Sequence, residues 1–341
     1  MDSSGEAAPK LLRAASGEEE RHVDAESAAL LARLGAMLAA PSPPGFTGIE
    51  AARAKASEIF AAFAGPPEDG DCIFHDTGAP GAGRAIPARL YRPLGRRGAP
   101  APMIVFFHGG GWSLGALDDY DGLLRSLAVM SGAIIASIDY RRAPEHPFPA
   151  GLEDALAATA FFAEAAADFG ADPRRLAVMG DSAGGNLAAV VAHQARAYGG
   201  PSIRAQFLLY PMLDMSRPHT VYHSRLLFGD GAHFLTRAAL DSSLADYLAD
   251  PAMADDPRVS PINEPDLAGM PKTFIVVGEC DPLRDEALAY ARLLKEAGTD
   301  VSLTCVAGAL HAFLSFGVLD VARRARRRLA ADMERSLADR G

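Results

Sequence analysis

The chain has 341 residues, 49% of them hydrophobic and 22% charged, with a formal net charge of −10. That is the make-up of a globular protein with a sizeable core, and not of a disordered chain. No sustained basic stripe is present, so nucleic acid is not an expected partner, and three scattered cysteines (Cys72, Cys280, Cys305) suit neither a disulfide framework nor a zinc site, so no metal is expected.

Residues 1 to about 22 are polar and lack a cationic start followed by an apolar run, so no secretory signal is expected. No eighteen consecutive residues are apolar, so no membrane span is expected, and a cytoplasmic protein with reduced thiols fits best. Leucines at helical spacing predict a helix over Ala25 to Ala40, stopped by PSPPG. A second, alanine-rich helix over Ile49 to Ala64 stops at GPP. Two β-like runs, CIFH and ARLYR, lie between Cys72 and Pro93.

From about residue 100 short apolar runs alternate with helical stretches. The strand candidates are MIVFF, AIIASI, LAVM, QFLLY, TFIVV and VSLTCV. The helical stretches run from Tyr120 to Ser131, Gly151 to Phe169, Ala183 to Ala197, Leu283 to Ala297 and Leu319 to Leu337. Wholly apolar strands between helices predict an α/β fold with a mostly parallel central sheet flanked by helices on both faces. The RRARRR cluster of the last helix reads as its solvated face. Asp214 to about Pro265 breaks the alternation. It holds SRPHT, FGDGAHFL and a helix near Arg237 to Tyr247, and reads as an insertion of the kind that often serves as a lid.

LAVMGDSAGGNLAAVVAHQA is the most informative stretch. Gly180-Asp181-Ser182-Ala183-Gly184 fits G-x-S-x-G between a buried strand and a helix, the context that turns a serine outward on a tight, strained corner. No lysine follows, as a P-loop needs, and Gly109 to Gly115 only partly matches a dinucleotide fingerprint. A serine nucleophile needs a base, and the base needs an orienting group, in the order Ser, acid, His. His193 lies three turns along the helix after the serine and points elsewhere; His219, His223 and His233 belong to the insertion. His311 follows the last strand across a short AGAL loop, at the end of the sheet where α/β folds collect catalytic groups. TFIVVGECDPLRDEA supplies the acid: Asp281 in the loop after a strand, with Asp285 assigned to the helix start.

Acyl transfer develops negative charge on the former carbonyl oxygen, and backbone N–H donors are its usual partners. One is expected from Ala183, after the nucleophile. The others come from FFHGGG, where Gly109, Gly110 and Gly111 leave their N–H groups unshielded and a side chain would occupy the substrate's space. His108 reads as a fixer of this loop rather than a base.

HGGGW, DYRRAPEHPFPA, GDSAGGNLA, CDPLRDEA and LHAF, in that order, resemble the motifs of the hormone-sensitive-lipase-like branch of the α/β-hydrolase esterases, the bacterial acetyl-esterase/lipase group. The resemblance runs from roughly residue 70 to the end. It implies an α/β-hydrolase fold with a helical cap. It also implies a serine carboxylesterase that acts on small-molecule esters with short to medium acyl chains through an acyl-enzyme, without a cofactor. The cap would be residues 1–65 and 214–260, and the catalytic domain 66–213 and 261–341. By motif position the triad falls on Ser182, Asp281 and His311 and the oxyanion donors on Gly110, Gly111 and Ala183. Trp112, Asp181, Phe228, Phe234 and Phe313 are candidates to meet substrate, with ordinary core packing the alternative for at least some of the four aromatics. Two departures stand out: Arg142 where leucine is common, and Ala312 where glycine is frequent. Asp139 and Glu145 to Pro147 read as structural support for the oxyanion loop. An amidase or acyltransferase on the same triad stays open, because the pocket sets the leaving group. Non-catalytic receptors of this fold lack the histidine, and His311 is present. The oligomeric state is open, a homodimer included.

Overall fold

The computed structural model describes residues 23–42, 45–66, 70–81, 83–94 and 100–339; the polar start expected over residues 1–22 lies outside them. Two helices come first, α1 (Ala25–Ala39) and α2 (Gly48–Phe63). Asp24 starts α1, its carboxylate accepting from the N–H groups of Glu26 and Ser27 at 3.0 Å, which satisfies donors the helix itself leaves unpaired. A hairpin of β1 (Cys72–Pro80) and β2 (Ala85–Pro93) follows, longer on both strands than CIFH and ARLYR.

The alternating part then runs β3 (Ala101–Phe107), α3 (Asp121–Ser131), β4 (Ile134–Ile138), α4 (Ala150–Glu164), β5 (Ala171–Asp181), α5 (Ala183–Tyr198) and β6 (Ala205–Leu209). After the inter-strand segment come β7 (Lys272–Cys280), α8 (Arg284–Glu296), β8 (Val301–Leu310) and α9 (Asp320–Ser336). The segment itself carries α6 (His223–Phe228), which the sequence did not suggest, and α7 (Arg237–Tyr247), which it did.

The eight strands are ordered β1-β2-β4-β3-β5-β6-β7-β8; β1, β2 and β4 pair antiparallel and all other neighbours parallel. Alternate residues of one strand enter opposite cores. Met103, Val105 and Phe107 of β3 join the layer of α4, α5 and α8, while Ile104 and Phe106 join that of α1, α2, α3 and α9. This two-sided burial is why β3 reads as an unbroken apolar run. Each such Met, Ile, Val or Phe contributes about 1.5–3 kcal/mol by leaving water.

Two expectations change. The arginine run of α9 is not wholly solvated: Arg326 is 1% exposed, and its Nε donates to the Leu314 carbonyl at 2.8 Å. The apolar neighbours that marked a wet face also fix a period that turns this one arginine inward. And AGAL is no loop; it continues β8 to Leu310, after an irregularity in the β7 pairing. No helix among the described residues is long and apolar enough to cross a membrane.

Candidate active site

Ser182 sits where β5 ends and α5 begins, at φ 53° and ψ −118°. Its N–H donates to the Leu209 carbonyl of β6 (2.8 Å), and its own carbonyl accepts from Asn186 and Met212 (both 3.1 Å). The corner closes so tightly that a Cβ on Gly180 would overlap the Gly184 carbonyl, and a Cβ on Gly184 would overlap the Phe107 carbonyl of β3. That is the steric content of the two flanking glycines. A positive φ on a serine is a strained state that the surrounding bonds hold in place.

The register of the last two strands builds the rest. Cys280 of β7 stands opposite Leu310 of β8, so the residues that follow them, Asp281 and His311, leave the sheet side by side. Asp281 Oδ2 lies 2.9 Å from His311 Nδ1, and His311 Nε2 lies 3.0 Å from Ser182 Oγ. The other Asp281 oxygen accepts from the Leu283 N–H at 2.8 Å. A carboxylate at Nδ1 holds the ring proton there and leaves Nε2 to accept from the serine. Ser182, His311 and Asp281 are 7%, 4% and 0% exposed, so water has little access to this chain of bonds. Ala312 follows at φ 61°, a left-handed conformation that explains why glycine suits this position.

The glycine loop is pinned from several sides. The Gly109 N–H points at Asp181 Oδ1 (2.6 Å) and the Tyr120 hydroxyl (3.0 Å), so this donor is already used. Gly110 (φ 106°) and Gly111 (φ 59°) form no N–H hydrogen bond within the described residues. The N–H of Ala183, first in α5, has no intrahelical acceptor. The glycines have a reason beyond the expected one. A Cβ on Gly109 would meet Asp181 Oδ2 at 2.6 Å, one on Gly110 the Leu114 backbone at 2.7 Å, and one on Gly111 the Ser243 hydroxyl of α7. The protein itself, and not only room for substrate, forbids side chains there.

His108 is buried and stacked on Tyr140 at 4.4 Å, its Nδ1–H donating to the Gly109 carbonyl at 2.9 Å. Burial pulls its pKa down to about 4, so it stays neutral and holds the loop. Arg142, the residue in place of leucine, donates to the Gly115 carbonyl at the far end of the same loop.

Of the five side chains expected against substrate, Asp181 is buried beneath Gly109, from whose N–H it accepts, and burial pushes its pKa up to about 7. Trp112 is buried and stacked on Tyr247 of α7 at 4.1 Å, and Phe313 is buried against Tyr210. Phe228 is buried at the end of α6 with the Arg284 guanidinium over its ring. Phe234, at φ 79°, packs on Phe316, five residues beyond His311. His193 faces away, with Nε2 2.8 Å from the Tyr290 hydroxyl.

Asp285 does lie in the first turn of α8, but it also accepts from the Ser224 N–H of α6 at 2.8 Å. Beside it a buried pair, Arg225–Glu286, joins α6 to α8, and Glu286 accepts from the Leu213 N–H at 2.7 Å. These bonds tie the inter-strand segment to the stretch that carries Asp281. Their partners stand 61 and 73 residues apart, so no local pattern announced them. Among the described residues no group of three or more His, Cys, Asp or Glu side chains is placed to hold a metal ion.

A family model described as alpha/beta hydrolase fold matches residues 104–315. Carboxylic ester hydrolase LipN of Mycobacterium tuberculosis is 45% identical over 276 residues, 78% of this chain and 70% of its own. Carboxylesterase NlhH of the same organism is 42% identical over 258 residues, 74% of this chain and 79% of its own. Among solved structures, an esterase from Pyrobaculum calidifontis is 35% identical, with a TM-score of 0.83 over 93% of this chain and 100% of that one. The chain belongs to the hormone-sensitive-lipase-like family of α/β-hydrolase carboxylesterases.

Proposed function

We propose that the chain is a serine carboxylesterase that works through Ser182, His311 and Asp281 and an acyl-enzyme intermediate. The observation that carries this reading is the unbroken contact Asp281–His311–Ser182, at 2.9 and 3.0 Å, on a strained strand-to-helix corner. Ser182 Oγ attacks the ester carbonyl carbon while His311 Nε2 takes its proton. The carbonyl oxygen becomes an oxyanion, bound by the N–H groups of Gly110, Gly111 and Ala183. Collapse breaks the bond to the alcohol oxygen, which leaves with the proton from His311. Water then attacks the acyl-enzyme by the same route and releases the acid.

Helices α1 and α2 and residues 214–260 act in this reading as a cap over the site. Two contacts support that role: Ser243 of α7 against Gly111, and Phe234 against Phe316. The family resemblance implies short to medium acyl chains on small esters, and the low exposure of Ser182, 7%, is compatible with that preference. The test is a panel of p-nitrophenyl esters from acetate to dodecanoate, with the matching anilides. Turnover should peak at short or medium chains, the anilides should be far slower, and Ser182→Ala should lose nearly all turnover. An organophosphate should label Ser182 alone. Anilides turned over as fast as esters, or more than a few percent of activity in Ser182→Ala, would reject the reading.

A further inference from the structure

Arg53 lies on α2, sixty residues before the glycine loop, yet its guanidinium is spent on that loop and its neighbour. Nε donates to the Ser113 carbonyl at 2.8 Å and Nη2 to the Ala143 carbonyl at 3.0 Å. Nη1 and Nη2 also grip the two Glu145 oxygens, each at 2.7 Å. That bond holds the Glu145 carboxyl down to about 2, so the pair stays charged across the working pH range. Both carbonyls belong to the oxyanion loop's frame. Ser113 N–H and Leu114 N–H return to the Gly110 carbonyl at 3.1 and 2.8 Å, and Ala143 N–H donates to the Trp112 carbonyl at 3.0 Å. So one planar fork from the N-terminal helix fixes the turn containing Gly110 and Gly111. The same helix touches the other end of the loop: Phe60 packs on Tyr120 at 5.4 Å, and the Tyr120 hydroxyl meets the Gly109 N–H.

We infer that Arg53 is a positioning residue for the oxyanion hole, which makes α2 part of the device that stabilises the transition state and not only a cover. The inference rests on the esterase reading above. A guanidinium is required because its fixed fork reaches two carbonyls and a carboxylate at once; an ammonium is a single point and spans one of them. Loosening the turn should misplace the Gly110 and Gly111 N–H groups without removing them, so the loss should be smaller than that of a deleted donor.

The experiment compares wild type, Arg53→Gln, Arg53→Lys and Glu145→Gln on p-nitrophenyl butyrate. It also measures binding of an alkyl trifluoromethyl ketone, whose carbonyl carbon takes Ser182 Oγ while the serine proton passes to His311, leaving an oxyanion on the adduct. Removing one oxyanion donor costs about 10²–10³ in turnover, so Arg53→Gln should lower kcat by about 10- to 100-fold with KM within about threefold. Ketone affinity should fall by the same factor as kcat/KM. Arg53→Lys should recover only a minor part of the loss. Glu145→Gln, which keeps both carbonyl bonds, should lose less than about fivefold. The inference is overturned if folded Arg53→Gln keeps wild-type kcat and ketone affinity, if the loss falls on KM alone, or if Arg53→Lys restores full turnover. If Arg53→Gln does not fold, Arg53→Lys decides by the same comparison. A wild type that neither hydrolyses the ester nor binds the ketone overturns the esterase reading itself, a result distinct from all of these.

Discussion

Two carboxylates compete for the triad in CDPLRDEA, and exchanging each for its amide separates them. Asp281 Oδ1 accepts from the Leu283 N–H at 2.8 Å, so in Asp281→Asn the amide oxygen must stay on that side. Its NH₂ then faces His311 Nδ1, where Oδ2 now lies at 2.9 Å. A donor there forces Nδ1 to accept and moves the ring proton to Nε2, 3.0 Å from Ser182 Oγ, where no proton can then be taken. The same exchange in a serine protease lowers turnover by about 10⁴. Esters are easier substrates, so a loss of about 10² or more is expected, equivalent to roughly 2.7 kcal/mol of transition-state stabilisation. Asp285→Asn meets a different fate. Its oxygens accept from Ser224 N–H and Arg284 Nε, both at 2.8 Å, and the amide can keep only one of these bonds. The cost should be stability, about 1 kcal/mol, with turnover changed less than about tenfold. Initial rates on p-nitrophenyl acetate at one pH, with folding followed by circular dichroism, decide between the two. An Asp281→Asn enzyme retaining a tenth of wild-type turnover, or one faster than Asp285→Asn, refutes the tautomer argument.

Gly184→Ala should disrupt folding, because its methyl overlaps the Phe107 carbonyl and forces β3 from α5; overpacking of this kind costs about 1–3 kcal/mol or more, read as loss of soluble protein or a large fall in Tm. Gly35→Ala, in the exposed middle of α1 with nothing within 4 Å, should raise stability by about 0.5–1 kcal/mol in urea unfolding and leave turnover unchanged. Asp181 is held at about 7 when folded, against about 3.9 unfolded, so between those values the native state binds the extra proton and stability falls as pH rises. Urea unfolding of wild type against Asp181→Asn should therefore show a gap that widens from pH 4 to 7, by at most about 4 kcal/mol, and is flat above; a gap independent of pH would mean the carboxyl is not so perturbed.

What was legible in the sequence was what folds locally. A strand, a tight corner and a helix lie within twenty residues around Ser182, and the backbone demands of that corner select glycine at 180 and 184. Strands buried on both faces show as apolar runs, so the parallel sheet could be read from β3 to β8. Its hairpin end could be read only in part, as CIFH and ARLYR, because β1 is exposed on both faces from Ile73 to Asp76 and has no long apolar run. Asp281 and His311 were reachable because each follows directly on a strand end. Arg53, Ser224 and Arg225 were not. All but one of the acceptors of their side chains are carbonyls and carboxylates 58 to 92 residues away, and a bond to a backbone carbonyl leaves no requirement on the partner's side chain that a pattern could reveal.

The unfavourable features of this chain gather at one end of the sheet. Ser182 at φ 53°, Ala312 at φ 61° and the buried carboxyl of Asp181 each cost folding free energy, and each touches or adjoins the reacting groups. Backbone strain at a non-glycine residue runs to about 1–3 kcal/mol, and a buried acid adds to it. The same features do the aligning. The strained corner aims Ser182 Oγ at His311, and Asp181 takes up the Gly109 N–H, while the next two N–H groups, the proposed oxyanion donors, have no partner among the described residues. Donors fixed in this way need no reorganisation when charge develops, and that is where electrostatic catalysis obtains most of its advantage over water. The long-range ties from α2 and α6 have a physical reason on this view. A site that stores strain springs loose unless bonds from outside it oppose relaxation, and Arg53, Ser224 and Arg225 supply such bonds from α2 and α6.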